Sequence, residues 1–334
     1  MNNLADYLST FLREYLPVER NSSQNTCDAY AYTFQMFVCF VSRHLKIQPS
    51  KLTLENLDVS MVIAFLNQLE DIRYNSSRTR NARLAAIKAF FRFLEYRVPS
   101  ALDQARHIHA IPMKKIDEKL VGYLTQQEMQ ALIDAPNPKI ISGIRDRAML
   151  YLAFAAGLRV SELITLKLDQ LSLNPHSPLI HVCGKGRRER VIPLWKETAT
   201  ALNAWLAVRD KTVKVQELFL NAQGNPMSRF GFKYILLKHV NTATKKQPSL
   251  AKKKISPHVL RHTCAMLTLQ ATHDIRKVSL WLGHADIKST EIYLRTDPSE
   301  KLEALTVGNP LLLQRGKFKP PDKLMALLQS QKRR

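Results

Sequence analysis

Apolar residues recur at helical spacing through the first hundred residues of the chain. Leu4, Tyr7, Leu8, Phe11 and Leu12 mark one face, and Tyr30, Phe34, Phe37, Val38 and Val41 mark another. Steps of three and four residues put side chains on one stripe of a helix, so each run predicts an amphipathic helix turned toward a core. Two further helices are expected, one near Ser60 to Leu69 after a turn that begins at Thr53, and one from about Arg78 to Tyr96 with Leu84, Ile87, Phe90, Phe91 and Leu94 inward. Pro99 and Ser100 break the last helix, and His107 to Glu118 holds Pro112 and several charges without a period. The pattern predicts an all-helical first domain over residues 1–105 and a linker over residues 106–120.

A second domain is expected over residues 121–308. It opens at Thr125 with Glu128 three residues on, a capping box in which hydroxyl and carboxylate satisfy the free amides of a helix start. Helix is expected from there to about Ala135 and again from Ile144 to Ala156. Between Leu179 and Leu194 the period changes: two short β-type runs flank the turn sequence GKGRRER, which predicts a hairpin with its charge at the tip. Helices resume near Glu197 to Val208, Phe230 to Val240, Val259 to Ala271, Asp274 to Leu282 and Lys288 to Leu294. Residues 309–334 are expected to form a basic, extended tail with a short amphipathic segment from Leu324 to Leu328. The fold class is therefore mainly α with a small antiparallel β-sheet, an α+β arrangement in two domains.

Charge narrows the partner. The 334 residues carry 50 Lys and Arg against 28 Asp and Glu, a formal net charge of +22. Residues 1–105 hold 12 of the basic and 10 of the acidic residues, which leaves 38 against 18 for the rest. A polyanion is the leading partner class, because each neutralised phosphate releases counterions, and the grip is expected in the second domain. The first residues have no basic stretch followed by an apolar run, and no apolar run nears the ~20 residues of a membrane span, so a cytoplasmic, nucleoid-associated location is expected. Cys27, Cys39, Cys183 and Cys264 lack metal-site spacing and are read as reduced packing residues.

Six residues carry candidate chemistry: Arg159 in AGLRVSEL, Lys185 in GKGRRER, His258 and Arg261 in HVLRHT, His284 in LGHA, and Tyr293 in IYLR. Singly, each has an ordinary structural explanation. Arg159 could be ion-paired to Glu162, Lys185 could sit in a solvated turn, His258 could belong to a plain capped helix start behind Pro257, His284 could end a helix, and Tyr293 could be core. Their order changes this. In that order, with His284 nine residues before Tyr293, they resemble the catalytic set of the tyrosine recombinase family, which includes phage integrases and Xer recombinases. The resemblance covers roughly residues 121–300, and more weakly residues 1–100, which look like the family's helical core-binding domain. Ala156 and Cys264 depart from its commonest wording without removing a reacting group.

The resemblance implies a C-shaped clamp on double-stranded DNA, and strand breakage and rejoining without metal, ATP or any other cofactor. Tyr293 would attack the scissile phosphate to leave a 3′-phosphotyrosine, and Arg159 and Arg261 would grip the non-bridging oxygens with their guanidinium forks. Lys185 would protonate the leaving 5′-oxygen, His258 would assist proton transfer from Tyr293, and His284 would hydrogen-bond a phosphate oxygen. Glu162 is expected to orient Arg159 or His258. The cationic neighbours are expected to activate the tyrosine, whose ordinary pKa is about 10. Arg187, Arg188, Arg190 and His262 are expected to contact DNA. The expected assembly is a homotetramer on two duplexes, each with an inverted-repeat recombination site, and a monomer or dimer when free, with no membrane partner. Integration, excision or transposition of a mobile element is the favoured errand because of the basic tail. A Xer-like dimer resolvase, an integron integrase, a non-cutting DNA binder and a type IB topoisomerase are the alternatives.

Overall fold

A computed structural model describes residues 4–117, 120–184, 189–210, 212, 214–284 and 286–297. The chain divides into two units, Met1–Glu118 and Lys119–Arg334.

The first unit is helical. Helix α1 (Leu4–Thr10) runs into a wider-pitched turn at Phe11–Glu19 that contains Pro17, followed by α2 (Gln24–Leu45), α3 (Val59–Asp71), α4 (Ser77–Glu95) and α5 (Leu102–Ala110). The serine and aspartate caps read as they should: Ser23, Asp58 and Ser76 each accept a main-chain amide at the start of α2, α3 and α4. The predicted inward stripes meet in one aromatic cluster, where Phe11, Phe34, Phe90 and Phe93 pack with centroids 5.1 to 6.1 Å apart.

The expected end of this unit at residue 105 is corrected. Helix α5 continues to Ala110 and buries Ala105, Ile108 and Ile111 in the same core, so the linker does not begin at 106. Lys88 Nζ donates to the carbonyls of His109 and Ile111, which fastens the end of α5 to α4. The polar look of His107 to Glu118 hid a helix whose inward face is carried by only a few residues.

The second unit opens with α6 (Gln126–Ile133), capped by the predicted Thr125 and Glu128 box. Helices α7 (Ile141–Ala155) and α8 (Val160–Thr165) follow, then strands β1 (Leu171–Ser172), β2 (Leu179–Cys183) and β3 (Glu189–Pro193), and helices α9 (Lys196–Val208), α10 (Arg229–Thr244), α11 (Pro257–Thr272), α12 (Ile275–Leu282) and α13 (Glu291–Thr296). The hairpin pairs β2 with β3 in antiparallel register, Ile180 opposite Ile192 and Val182 opposite Arg190, and β1 adds a third, two-residue strand too short to be read beforehand. The helix expected from Lys288 to Leu294 is two pieces, a tight turn at Ile287–Ser289 and α13, because the chain reorients at buried Thr290.

Of the four cysteines, Cys27 and Cys264 are buried as expected, whereas Cys39 and Cys183 are exposed on outward faces of α2 and β2; all four are free. The tail over residues 309–334 lies outside the described residues.

Candidate active site

The site is assembled where α7 ends, α8 begins, β3 passes, and α11, α12 and α13 converge. Gly157 terminates α7 with a left-handed backbone (φ +55°), and an added Cβ there would lie 2.6 Å from Leu282 Cδ2, so only glycine permits the approach of α12. Two residues on, Arg159 is the residue before α8. Its backbone N–H donates to Glu162 Oε2 at 2.9 Å and its guanidinium Nη1 to Glu162 Oε1 at 2.7 Å. The sequence left Glu162 orienting either Arg159 or His258, and among the described residues it meets Arg159.

Arg190 is placed differently from expectation. It is not a free DNA contact but a largely enclosed cation on the same carboxylate, Nη2 to Glu162 Oε2 at 2.8 Å and Nη1 to Oε1 at 3.4 Å, with 10% of its side chain exposed. Strand parity explains this. Arg190, Ile192 and Leu194 alternate onto the inward face, and that period was readable in the sequence.

Arg261, on α11, is buried, and its two Nη groups donate to main-chain carbonyls, Gly157 O at 2.6 Å and Leu282 O at 2.8 Å. It ties the ends of α7 and α12 together. Burial, then repulsion from Arg159, lowers its pKa to about 10, which still leaves it charged at neutral pH.

Tyr293 is buried on α13. Its hydroxyl meets His262 Nδ1 at 3.0 Å, and its ring stacks on His284 with centroids 6.5 Å apart at 11°. His284 Nδ1 in turn meets Thr290 Oγ1 at 2.7 Å. Two findings differ from expectation here. His258, assigned to help the tyrosine proton, lies exposed in the first turn of α11, and the ring on the hydroxyl is His262, four residues on, which had been assigned to DNA. The cations are also outweighed at this tyrosine: burial pushes its pKa up to about 12, against the downward pull of Arg261 and Arg159. Burial likewise pushes His262 down to about 4, helped by His258, and His284 down to about 4, helped by Arg261. Both rings are neutral at pH 7, and Tyr293 holds its proton. Glu162 stays ionised, since hydrogen bonds from Arg190 and Arg159 outweigh the effect of its burial and hold it below the usual carboxylate range.

Lys185, Arg187 and Arg188 lie outside the described residues. The contacts of His262 with Tyr293, Arg190 with Glu162 and Thr290 with His284 were not anticipated, and only the second left a signal in the sequence. Two large clefts, about 570 and 530 Å³, are lined from α6, α7, α9 and α11 around Tyr151 and Glu197 and include none of these residues. A polymeric substrate lies across a surface and needs no enclosed cavity. Among the described residues, no three His, Cys, Asp or Glu side chains are grouped to hold a metal.

An open arginine fork beside a carboxylate, a second arginine anchored behind it, and a tyrosine flanked by two neutral histidines make a site for nucleophilic chemistry on a phosphodiester. Residues 122–300 match the phage integrase family, and residues 9–97 match its N-terminal SAM-like domain. An integrase/recombinase of Sinorhizobium fredii, y4rC, is 38% identical over 328 residues, 98% of each chain. The tyrosine recombinase XerC of Pelobacter propionicus is 32% identical over 310 residues, 93% of this chain and 97% of that one. Among solved structures, the XerH site-specific recombinase bound to its palindromic difH substrate aligns with a TM-score of 0.66 at 24% identity, over 90% of this chain and 84% of that one.

The chain belongs to the phage integrase family of tyrosine recombinases. It is an enzyme of site-specific DNA recombination, and DNA is its partner. No helix among the described residues is long and apolar enough to cross a membrane.

Proposed function

We propose that the protein exchanges DNA strands through a covalent 3′-phosphotyrosine on Tyr293. The observation that carries this is the meeting on one tyrosine of His262 from α11 and His284 from the α12–α13 turn, with Arg159 and Arg261 near enough to act on its charge, beside the chain order of the family's catalytic set. The Tyr293 oxygen bonds to phosphorus, the bond to the 5′-oxygen breaks, and that oxygen takes its proton from Lys185. Arg159 and Arg261 offset the charge that builds on the non-bridging oxygens, with His284 hydrogen-bonding one of them. His258 and His262 form the route by which the tyrosine proton leaves. Their rings are 6.5 Å apart on successive turns of α11, the outer one exposed and the inner one on the hydroxyl. Because the phosphotyrosine conserves the bond energy, a 5′-hydroxyl from another duplex reverses the step without ATP or metal.

Arg261 is committed to two carbonyls and Tyr293 is buried, so cleavage requires that α13 be drawn outward. The working assembly is a homotetramer on two duplexes, each with inverted repeats around a short spacer, formed from monomers or dimers. Arg187 and Arg188 grip the backbone near Lys185. The setting is cytoplasmic and nucleoid-associated. Integration, excision or transposition of a mobile element is the favoured role, supported by the basic tail and by the relative of nearly equal length that bears the name integrase/recombinase.

The test is a nicked suicide substrate built from the DNA that flanks the gene, incubated with the full chain in the absence of magnesium. A covalent adduct is expected, and Tyr293→Phe lowers its formation by at least ~10³-fold with DNA affinity retained. An adduct that persists in Tyr293→Phe overturns the assignment. Relaxation of supercoiled DNA without any such site favours a topoisomerase.

A further inference from the structure

Glu162 serves two arginines at once, and the division of its oxygens has a chemical consequence. A carboxylate facing one arginine alone takes it fork to fork, with two parallel hydrogen bonds. Here the arginine that meets both oxygens is Arg190, with Nη2 on Oε2 at 2.8 Å and Nη1 on Oε1 at 3.4 Å, and Oε2 also accepts the Arg159 backbone N–H at 2.9 Å. The Arg159 side chain is left with a share of Oε1, through Nη1 at 2.7 Å, and among the described residues its other guanidinium nitrogens make no bond to protein. The two side chains differ in exposure accordingly, 10% for Arg190 and 29% for Arg159.

We propose that Arg190 is a positioning residue for strand cleavage: by holding Glu162 Oε2 it limits Arg159 to a single tie and keeps the remaining fork donors turned to phosphate. The seat of Arg190 is built for it. Gly283, with φ +63°, passes so close that an added Cβ would lie 2.8 Å from Arg190 Cδ and 3.0 Å from its Nη1. The inward parity shared with Ile192 holds the side chain away from the outward face of β3 that carries Glu189 and Val191. Two guanidinium groups on one carboxylate also leave an excess positive charge, which repels Arg261 and which an incoming phosphate balances. Without Arg190, Glu162 would close on Arg159 with both oxygens and withdraw the donors the phosphate needs.

The inference rests on the reading of Arg159 as a phosphate-holding residue, and the experiment separates the two. Adduct formation on the suicide substrate and DNA affinity as a function of salt are measured for the full-length wild type, Arg190→Ala, Arg190→Lys, Arg159→Ala and the double variant Arg159→Ala with Arg190→Ala. Arg190→Ala is expected to slow adduct formation by ~100-fold, the scale of a small misplacement of a catalytic group, at unchanged affinity and salt slope. In the Arg159→Ala background it is expected to cost nothing further, since its effect passes through the residue already removed. Arg190→Lys, which keeps a charge on Glu162, is expected to lose only ~10-fold, and it carries the comparison by itself where Arg190→Ala does not fold. A wild-type rate in Arg190→Ala overturns the proposal. So does a full additional loss in the double variant, or a weaker affinity with a salt slope reduced by about 1, the mark of a direct phosphate contact. If Arg159→Ala itself cleaves at the wild-type rate, it is the underlying reading of Arg159 that fails.

Discussion

The two units of this chain are stabilised in different ways. The first is an apolar body: among its described residues only Thr33 and Arg80 are buried polar groups, and its centre is a cluster of phenylalanines on α2, α3 and α4. The second buries Glu128, Asp146, Glu162, Arg209, His239 and Arg261, each inside a hydrogen-bonded network. His239 Nε2 meets Asp146 at 2.8 Å while Arg145 holds the same carboxylate at 2.7 Å. Apolar packing gives stability without reference to charge, whereas buried ions hold particular groups in particular orientations and cost desolvation to do so. The first unit is therefore a frame, and the second commits part of its interior, at Glu162 and Arg261, to the candidate site.

The largest effect that could break this contrast is a cavity in the frame. Phe90→Ala is expected to lower stability by about 3–5 kcal/mol, seen as a loss of helical circular dichroism at lower urea concentration. Trp195, Trp205 and Trp281 all lie in the second unit, so their emission reports that unit alone. An equal shift of the emission transition would show that the frame and the site are one cooperative body.

The next test uses acid. His262 and His284 have folded pKa values near 4 against an ordinary 6.5, so the unfolded chain binds protons that the folded one does not. Stability then rises with pH across this window, being fully present above 6.5 and lost as pH falls toward 4. The tryptophan transition should move to lower urea between pH 6.5 and 4, and replacing both rings by glutamine should flatten that dependence. In the first unit the comparable ring is His109, whose downward shift by burial is opposed by Glu95, so a smaller slope is expected there. An unchanged slope in the glutamine double variant would assign the acid sensitivity to the buried carboxylates instead. The smallest effect is local: Gly283→Ala strains a left-handed turn and crowds Arg190, with a stability cost on the order of 1–2 kcal/mol. Its loss of cleavage should exceed what that stability change accounts for.

Much of this was legible where the governing physics is local. The stripes of α2 and α4, the Thr125 and Glu128 cap, the hairpin, and the glycines that end α7 and α12 all follow from spacing and backbone preference. The order of Arg159, Lys185, His258, Arg261, His284 and Tyr293 pointed to the family. What stayed hidden was tertiary: whether His258 or His262 reaches α13 depends on the azimuth at which two helices cross, and adjacency in HVLRHT does not contain it. Arg190 was misread because a basic hairpin suggests a groove, although its alternation with Ile192 pointed inward. Helix α5 was missed because three inward residues among histidines and charges make a weak period.

Arg261 donates to the last carbonyl of α12 and to the carbonyl just past the end of α7. Helix C-termini concentrate partial negative charge, so this guanidinium sits at the joint negative pole of two helix dipoles before any nucleic acid arrives. The cation is thus held and partly neutralised by the protein's own backbone, at no further ordering entropy when the substrate binds. On the proposed reading of Arg261 as a phosphate-holding residue, a phosphate has to compete with these two peptide dipoles for the same guanidinium donors.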